Sequence, residues 1–271
     1  MLGERTLVMG VLNATPDSFS DGGRLPTTEA AVAHGLGLFE AGADWVDVGG
    51  ESTRPGAARV EWEEETRRVV PVVEGLRRRG AGTISVDTTK AAVAMAALDA
   101  GADLVNDVSA FGFDPAMASL VASRGVPAVL MHNRGGFEDR HRAPAYGDVA
   151  AEVVAELGES LARAERTGVS REQLIVDPGI GFAKDAAHSL EALAKLDALD
   201  ALDRPVLVGP SRKSFIGKVL DLPVDRRLMG TAAAVAVCVL LGAHLVRAHD
   251  VAEMVEVARV CDAIMEAGGR S

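Results

Sequence analysis

Short apolar runs alternate with longer segments of helical period along the whole chain. The runs are rich in Val, Ile and Leu and finish in polar residues, which predicts buried strands; the segments between them repeat apolar residues at helical spacing. The predicted strands are residues 7–12, 45–48, 83–86, 104–106, 128–131, 174–176, 206–208 and 245–247. Alternation of strands and helices is typical of an α/β protein with a parallel sheet.

One pattern recurs where a helix passes into a strand. Helical segments end at Gly42, Gly101 and Gly242, the chain turns, and the next strand follows. Glycine is typical of a helix C-terminus because it adopts positive φ without steric cost. No linker or low-complexity tract interrupts the repeat, which predicts one domain over residues 1–271, a (β/α)8 TIM barrel with long loops after strands 1 and 2 and a shortened N-terminal extension.

An open, doubly wound sheet would also alternate strands with helices. That fold usually carries a GxGxxG phosphate loop after its first strand. No such motif follows Leu12, and the segment GIGFAK at residues 179–184 lacks the third glycine. The barrel is therefore the fold that we predict.

Charge and composition narrow the classes of function. The chain has 28 Lys and Arg against 39 Asp and Glu, a formal net charge of −11, which argues against binding to nucleic acid or to anionic membranes. No apolar stretch is long enough to span a bilayer, and the first residues do not form a signal peptide, so we expect a cytoplasmic protein. Cys238 and Cys261 lie in apolar helical segments and are interpreted as buried free thiols.

The carboxyl ends of barrel strands meet at one mouth, where the chemistry of this fold is found. Polar or polarisable residues follow the predicted strands there: Asn13, Asp47, Asp87, Asn106, Asp107, Met131, His132, Asp177, Ser211, Arg212, Lys213, Arg247, His249 and Asp250. An Asp or Asn after a strand often serves only as a turn former or helix cap. We interpret Asp107, Asp114 and Asp250 in that way.

Two long loops and a basic cluster point to a binding site at this mouth. The loops after the first and second strands are longer than the roughly 2–6 residues usual for such connections. Ser211, Arg212 and Lys213 follow strand 7, and Arg247 and His249 follow strand 8. Loops after these strands frequently bind phosphate in this fold, so the cluster predicts an anionic ligand. For Glu51 and Arg54, in the second loop, a simple surface pair remains an alternative.

Eight sequence blocks in this order resemble dihydropteroate synthases, the folate-pathway enzymes that sulfonamides target. The blocks are VMGVLNATPDSFSDGG, VDVGGESTRPGA, ISVDTTK, VNDVS, VLMH, DPGIGFAK, GPSRKSFIG and RAHDV. The resemblance implies a transferase that condenses 6-hydroxymethyl-7,8-dihydropterin diphosphate with p-aminobenzoate, releasing diphosphate by dissociative substitution. It also implies that Mg²⁺ is the cofactor and that the substrates are small molecules.

The resemblance also implies roles for individual residues. Pterin binding and catalysis fall to Asp87, Asn106, Asp177 and Lys213, with Met131 packing on the pterin face. The remaining roles are Mg²⁺ binding by Asn13, diphosphate binding by Thr53, Arg54, Arg247 and His249, and p-aminobenzoate binding by Phe19, Pro55, Phe182 and Ser214. For Phe182, the alternative of a packed core aromatic stays open.

Further expectations follow from the same resemblance. A homodimer would form through the late helices, where residues 232–241 offer apolar surface. The loop around Pro55 lacks the Phe-Gly insertion of sulfonamide-insensitive relatives, so we expect a sensitive enzyme.

Two alternatives share the pterin pocket: a methyltetrahydrofolate-binding barrel, and a paralogue that binds pterin without catalysis. The first would have no reason to keep the anion-binding cluster, and the second should have lost Asn13, Arg54, Lys213 or His249. All four are present, which favours a catalyst.

Overall fold

A computed structural model describes residues 3–15, 27–52, 59–135 and 145–269 as eight parallel strands wrapped by helices. The strands are β1 (Leu7–Asn13), β2 (Trp45–Gly49), β3 (Thr83–Asp87), β4 (Leu104–Asp107), β5 (Ala128–Met131), β6 (Leu174–Asp177), β7 (Leu207–Val208) and β8 (Leu245–Ala248). The helices are α1 (Thr28–Glu40), α2 (Trp62–Arg78), α3 (Ala91–Asp99), α4 (Ala116–Arg124), α5 (Val149–Arg166), α6 (Ala186–Ala194), α7 (Ser214–Leu220), α8 (Leu228–Leu240) and α9 (Val251–Ala267).

The sheet closes on itself. Strands pair in the order β6-β5-β4-β3-β2-β1-β8-β7. The remaining gap is bridged by Val176 and Val206, and the backbone N–H of Val176 donates to the carbonyl of Pro205 at 2.9 Å. The predicted (β/α)8 barrel is therefore confirmed.

Strand ends differ from the predicted ones by a residue or so. Six strands continue one residue further, to Asn13, Gly49, Asp87, Asp107, Asp177 and Ala248, because the parallel ladder carries on beyond the apolar run. In register, Gly49 pairs with Asp87 and Asp177 pairs with Met131. β7 begins at Leu207 rather than Val206. Several candidate site residues thus lie on the strands themselves, where ladder hydrogen bonds fix them.

Side chains along each strand point alternately outward, toward the helices, and inward, toward the barrel axis. This alternation separates two apolar cores and directs polar side chains into the mouth. Val46, Val48, Val86 and other residues pack outward against the helices. Inside the barrel, a separate layer contains Leu7, Met9, Leu104, Val129, Ile175, Leu207 and Leu245, with Trp45 packed against it. Because side chains of a strand repeat their direction every two residues, the next inward positions are Asp47, Asn106, Met131, Asp177 and Arg247. An apolar layer therefore supports a polar one.

Several local predictions can now be checked. Gly42, Gly101 and Gly242 have φ of 100°, 109° and 95°, as their helix-ending role requires. Asp107 accepts the backbone N–H groups of Ser109 and Phe111, and Asp114 accepts that of Ala116, as turn formers do.

Asp250 occupies the predicted cap position at the start of α9. Its side chain makes no capping hydrogen bond to α9 and instead pairs with the guanidinium of Arg212. The neighbouring basic residue, brought there by the turn after β7, competes successfully for the carboxylate because a charged donor binds it more strongly than a backbone amide.

Two further sequence predictions concern the cysteines and the helices. Cys238 and Cys261 are buried free thiols. In the described part of the chain, no helix combines the length and apolarity needed to cross a membrane.

Candidate active site

Asp47 lies at the centre of the mouth and joins three strands. Its side chain is fully buried on β2, and one oxygen, Oδ2, accepts both the Nδ2–H of Asn106 on β4 at 2.8 Å and the Nε–H of Arg247 on β8 at 2.7 Å. The other oxygen, Oδ1, has no hydrogen-bond partner among the described residues. Asn106 donates one of its two Nδ2 hydrogens to Asp47, so its carbonyl oxygen and its second Nδ2 hydrogen are left for a ligand.

Arg247 is shared between two carboxylates. Its Nη2 donates to Asp87 Oδ2 at 2.9 Å while Nε holds Asp47. Burial and the adjacent charge of Asp47 raise the pKa of Asp87 to about 7, with Arg247 acting in the opposite direction. Nε and Nη2 of Arg247 each hold a carboxylate, so the predicted contact with an anion would use the other N–H groups of the guanidinium.

Asp177, at the end of β6, and Lys213, just before α7, complete the polar ring. Asp177 Oδ1 accepts the N–H of Gly179 at 2.7 Å, and burial raises the pKa of this carboxyl to about 6. Burial, with Arg247, lowers the pKa of Lys213 to about 8. The Lys213 ammonium lies 4.2 Å from the centroid of the Phe182 ring. Phe182 packs on Met131 and Val108, so an apolar wall stands beside the polar ring.

The turn that carries Lys213 is held by Thr231, on α8, and by Arg227, the residue just before α8. Thr231 Oγ1 accepts the N–H of Arg212, and the Arg227 guanidinium donates to the carbonyls of Arg212 and Lys213. Arg212 has φ of 57°, a left-handed conformation that is costly for a residue with a Cβ. Its side chain pairs with Asp250, so Lys213 rather than Arg212 supplies the unpaired cation of the turn among the described residues.

His249 is an uncharged imidazole. Ser211 Oγ accepts the backbone N–H of His249 at 3.2 Å and also lies 3.0 Å from the ring nitrogen Nδ1, a contact in which either group can donate. Burial, together with Arg247 and Arg212, lowers the pKa of His249 to about 4. The basic cluster predicted from the sequence therefore contributes a neutral imidazole at this position.

The other predicted positions divide into two groups. Ser214 is exposed at the start of α7, and half-buried Asn13 ends β1. Thr53, Arg54, Pro55 and Phe19 lie outside the described residues. Asp47, by contrast, belongs to the centre of the site although no ligand role was assigned to it from the sequence. Asp47 lies two residues after Trp45, whose side chain packs inside the barrel. The period of two along a strand indicates from the sequence that Asp47 also points inward.

The described residues hold no group of three or more His, Cys, Asp or Glu side chains arranged for a metal. Within these residues, a metal held by three or more such side chains therefore has no site. Mg²⁺ commonly keeps several waters and uses few protein ligands together with substrate phosphates. The single amide oxygen of Asn13 is compatible with that second mode.

Comparison with known proteins gives one consistent result. The profile of the family described as pterin binding enzymes matches residues 9–249. The dihydropteroate synthase of Bacillus subtilis strain 168 is 45% identical over 266 residues, covering 98% of this chain and 91% of the relative.

Solved structures agree with the sequence match. Dihydropteroate synthase of Xanthomonas albilineans with 4-aminobenzoic acid superposes with a TM-score of 0.91 at 48% identity, covering 97% of this chain and 94% of that one. The same enzyme with 7,8-dihydropteroate gives 0.88 at 45% identity, with coverage of 97% and 94%. The Yersinia pestis enzyme in a sulfonamide complex gives 0.91 at 41% identity, covering 97% and 95%.

Proposed function

The chain belongs to the dihydropteroate synthase family of pterin binding enzymes, and on this premise we propose that it condenses 6-hydroxymethyl-7,8-dihydropterin diphosphate with p-aminobenzoate to form 7,8-dihydropteroate and diphosphate. The observation that carries the proposal is the polar ring of Asp47, Asp87, Asn106, Asp177 and Arg247 around the barrel axis, with Lys213 at its edge. A buried ring of this kind suits a flat heterocycle with many donors and acceptors.

The pterin would bind both to hydrogen-bond acceptors and to donors of this polar ring of side chains. Its 2-amino and ring N–H groups are donors, which suit the free oxygen of Asp177 and the carbonyl oxygen of Asn106. Lys213 would donate to the acceptor edge of the pterin, with Asp87 completing the polar rim. Met131 and Phe182 supply apolar contact for the flat ring.

The chemical step needs a stabilised leaving group more than a strong base. The bond between the methylene carbon and the diphosphate oxygen breaks, and the electron pair leaves with the diphosphate. The pterin-stabilised cation is then attacked by the aniline nitrogen, which loses a proton as the new C–N bond forms. The guanidinium groups of Arg247 and Arg54 would offset charge on the departing diphosphate, and Thr53 and the neutral ring of His249 would donate hydrogen bonds to it.

We include Mg²⁺ in the proposal, held by Asn13 and by the oxygens of the substrate diphosphate. When bound, the ion would withdraw charge from the leaving group. The donor set supports this because a single amide oxygen suits a cation that is bound mainly through phosphate and water.

The aniline substrate would bind on the Phe182 side of the mouth. Phe182 and Pro55 would enclose its ring, with Phe19 nearby and Ser214 at the carboxylate. Its carboxylate is anionic, and the N-terminal end of a helix such as α7 favours negative charge.

A direct assay tests the proposed reaction. Purified protein is incubated with the pterin diphosphate, p-aminobenzoate and Mg²⁺, and dihydropteroate and diphosphate are quantified together. We expect equal amounts of both products, and their loss in Lys213→Ala. Pterin binding without either product would instead identify a catalytically silent paralogue.

Sulfonamide sensitivity is part of the same proposal. The loop around Pro55 has no Phe-Gly insertion, so a sulfonamide should compete with p-aminobenzoate. We expect sulfamethoxazole to raise the apparent KM for p-aminobenzoate while kcat stays constant. Inhibition that is absent at concentrations well above that KM would contradict this expectation.

We also propose a homodimer through α8 and α9 and a cytoplasmic location. Exposed apolar side chains on these two helices support the dimer. The free thiols of Cys238 and Cys261 are consistent with a reducing compartment.

A further inference from the structure

Lys184 is a buried lysine that the proposed reaction does not use. It is 4% exposed, and none of the carboxylates in the described chain pairs with its ammonium. Nζ instead contacts three acceptors: His132 Nδ1 at 2.8 Å, the carbonyl of Phe182 at 3.3 Å and the carbonyl of Gly179 at 3.4 Å. A lysine ammonium has three donor hydrogens, so these contacts match its full capacity.

These contacts fix the segment of residues 178–184, which we call the β6 loop. Two of the three acceptors belong to the loop itself, and the third belongs to the segment after β5. The backbone departs from ordinary geometry here, with φ of 67° at Gly179 and 47° at Ala183. A Cβ at Gly179 would lie 2.1 Å from the His132 carbonyl oxygen, so the loop is pressed directly against the neighbouring segment.

His132 is itself held on its other side. Its Nε2 lies 3.0 Å from Glu156 Oε2, and Arg134 Nε donates to both oxygens of the same carboxylate at 3.0 and 3.1 Å. Glu156 therefore accepts the Nε2–H, which leaves Nδ1 unprotonated and able to accept from Lys184. Burial, with the Lys184 charge, lowers the pKa of His132 to about 3, consistent with a neutral ring.

A second contact ties the same loop to the segment after β5. The Tyr146 hydroxyl donates to the carbonyl of Ala183 at 3.0 Å, and its ring lies 3.9 Å beneath the guanidinium carbon of Arg134. Lys184 and Tyr146 thus engage carbonyls of three residues of the β6 loop. The side chain placed by this arrangement is Phe182, which packs on Met131 and lies under the Lys213 ammonium.

We propose that Lys184, oriented by His132 and Glu156, is a positioning residue that sets the place of Phe182 and thereby the binding of the aniline substrate. The inference rests on the proposed function, because it takes the Phe182 side of the mouth as the p-aminobenzoate site. Lys184 acts through the backbone of the β6 loop and touches no reacting atom.

The first test is steady-state kinetics of Lys184→Met, with Lys195→Met as the matched control. Lys195 follows α6 and is exposed. We expect Lys184→Met to raise the KM for p-aminobenzoate about tenfold, equivalent to about 1.4 kcal/mol, with kcat and the KM for the pterin diphosphate changed less than about threefold. The control should match the wild type. Equal losses in kcat and in both KM values would show a general structural defect and overturn the proposal.

A double-mutant cycle tests whether the effect passes through Phe182. In a Phe182→Leu background, the additional change Lys184→Met should alter the KM for p-aminobenzoate by less than about twofold, since coupled positions are not additive. An undiminished effect in that background would contradict the proposed route.

Two changes at His132 keep the proposal testable if Lys184→Met does not fold. His132→Asn retains an acceptor near the position of Nδ1, whereas His132→Leu removes it. We expect the leucine variant to reproduce the rise in KM and the asparagine variant to recover most of the wild-type value. Equal defects in both variants would overturn the role of the Lys184 contact.

Hydrogen exchange separates failure of this inference from failure of the proposed function. Deuterium uptake of a peptide covering residues 178–184 should increase in Lys184→Met and stay unchanged in Lys195→Met. This readout does not need catalysis. If the wild type makes no dihydropteroate, the proposed function fails while exchange still reports on the loop; an active wild type with unchanged exchange and KM in the variant refutes the positioning role alone.

Discussion

Asp47 determines at the residue scale which atoms of the site face a ligand. One of its oxygens accepts from both Asn106 and Arg247. We expect Asp47→Ala to weaken binding of 6-hydroxymethylpterin about tenfold and to lower the free energy of unfolding by about 2 kcal/mol, because charge-assisted hydrogen bonds are lost. Asp47→Asn keeps an acceptor oxygen in place and should recover most of the affinity. Titration calorimetry and urea denaturation measure the two effects.

Asp197→Ala provides the control for this pair of variants. Asp197 is exposed and lies in the short 3-10 helix that follows α6, between β6 and β7. It should match the wild type in both measurements. Equal binding by Asp47→Ala and the wild type would show that Asn106 keeps its orientation without the carboxylate.

The charge of Asp177 should make pterin binding depend on pH. Burial raises the pKa of its carboxyl to about 6, so the free protein loses this negative charge as the pH falls through 6. A donor-rich ligand favours the ionised form, and affinity should fall by up to about tenfold for each pH unit below the pKa. Calorimetric titrations of 6-hydroxymethylpterin from pH 8 to pH 5 will show this decrease.

Asp177→Asn identifies the group responsible. The variant should bind more weakly at pH 7.5 and should lack the component centred near pH 6. A separate component near pH 7 should remain, because burial and Asp47 raise the pKa of Asp87 to about 7. Asp203→Asn, at an exposed position, is the matched control. A component near pH 6 that persists in Asp177→Asn would assign it to another residue.

At the scale of elements, a buried cluster of charged side chains joins α2 to the segment after β2 and to the start of α3. Lys90, just before α3, donates to Glu65 on α2 at 2.5 Å and to Glu51 after β2 at 3.0 Å. Removing the cation would leave two carboxylates buried together. We expect Lys90→Met to lower the free energy of unfolding by about 3 kcal/mol at pH 8, measured by urea denaturation, with exposed Lys218→Met unchanged.

The deficit of Lys90→Met should shrink in acid. Burial raises the pKa of Glu65, so this group favours the folded state below its unfolded pKa and loses that contribution as the pH rises through its folded pKa. Without Lys90 the pKa rises further, and Glu65 is protonated over a wider range. The deficit at pH 5 should therefore be smaller than at pH 8, and Glu65→Gln in the same background should restore part of the stability at pH 8. A deficit independent of pH would rule out this account.

The sequence predicted the elements better than their ends. Period and composition located all eight strands, because apolar β-branched runs are buried on both faces in a barrel. The ends could not be predicted, since Asp87 and Asp177 remain on the ladder only through partners on neighbouring strands. Asp250 shows the same limit: capping is a local rule, and the competing Arg212 comes from a different connection.

At the scale of the molecule, the sequence predicted the site as a set of positions without its internal contacts. Strand order brings Asp87 and Arg247 to one mouth, and this followed from the barrel itself. The ion pair that joins them spans 160 residues of sequence, and the neutral state of His249 depends on burial and on the charges of Arg247 and Arg212. Such pairings are decided by side-chain geometry across the barrel, which periodicity and motif spacing do not encode.

The homodimer is also a prediction about the whole molecule. Exposed Met229, Ala233, Val237 and Leu240 follow one stripe of α8, and exposed Val260 and Ile264 lie one turn apart on adjacent α9. Clusters of exposed apolar side chains on neighbouring helices are typical of an interface. Sedimentation should give twice the 28.2 kDa chain mass, and Val237→Glu with Val260→Glu should shift the species toward the monomer. Met95→Glu, an exposed apolar position on α3, should leave the dimer intact; a wild-type monomer at micromolar concentration would show that this face stays open to solvent.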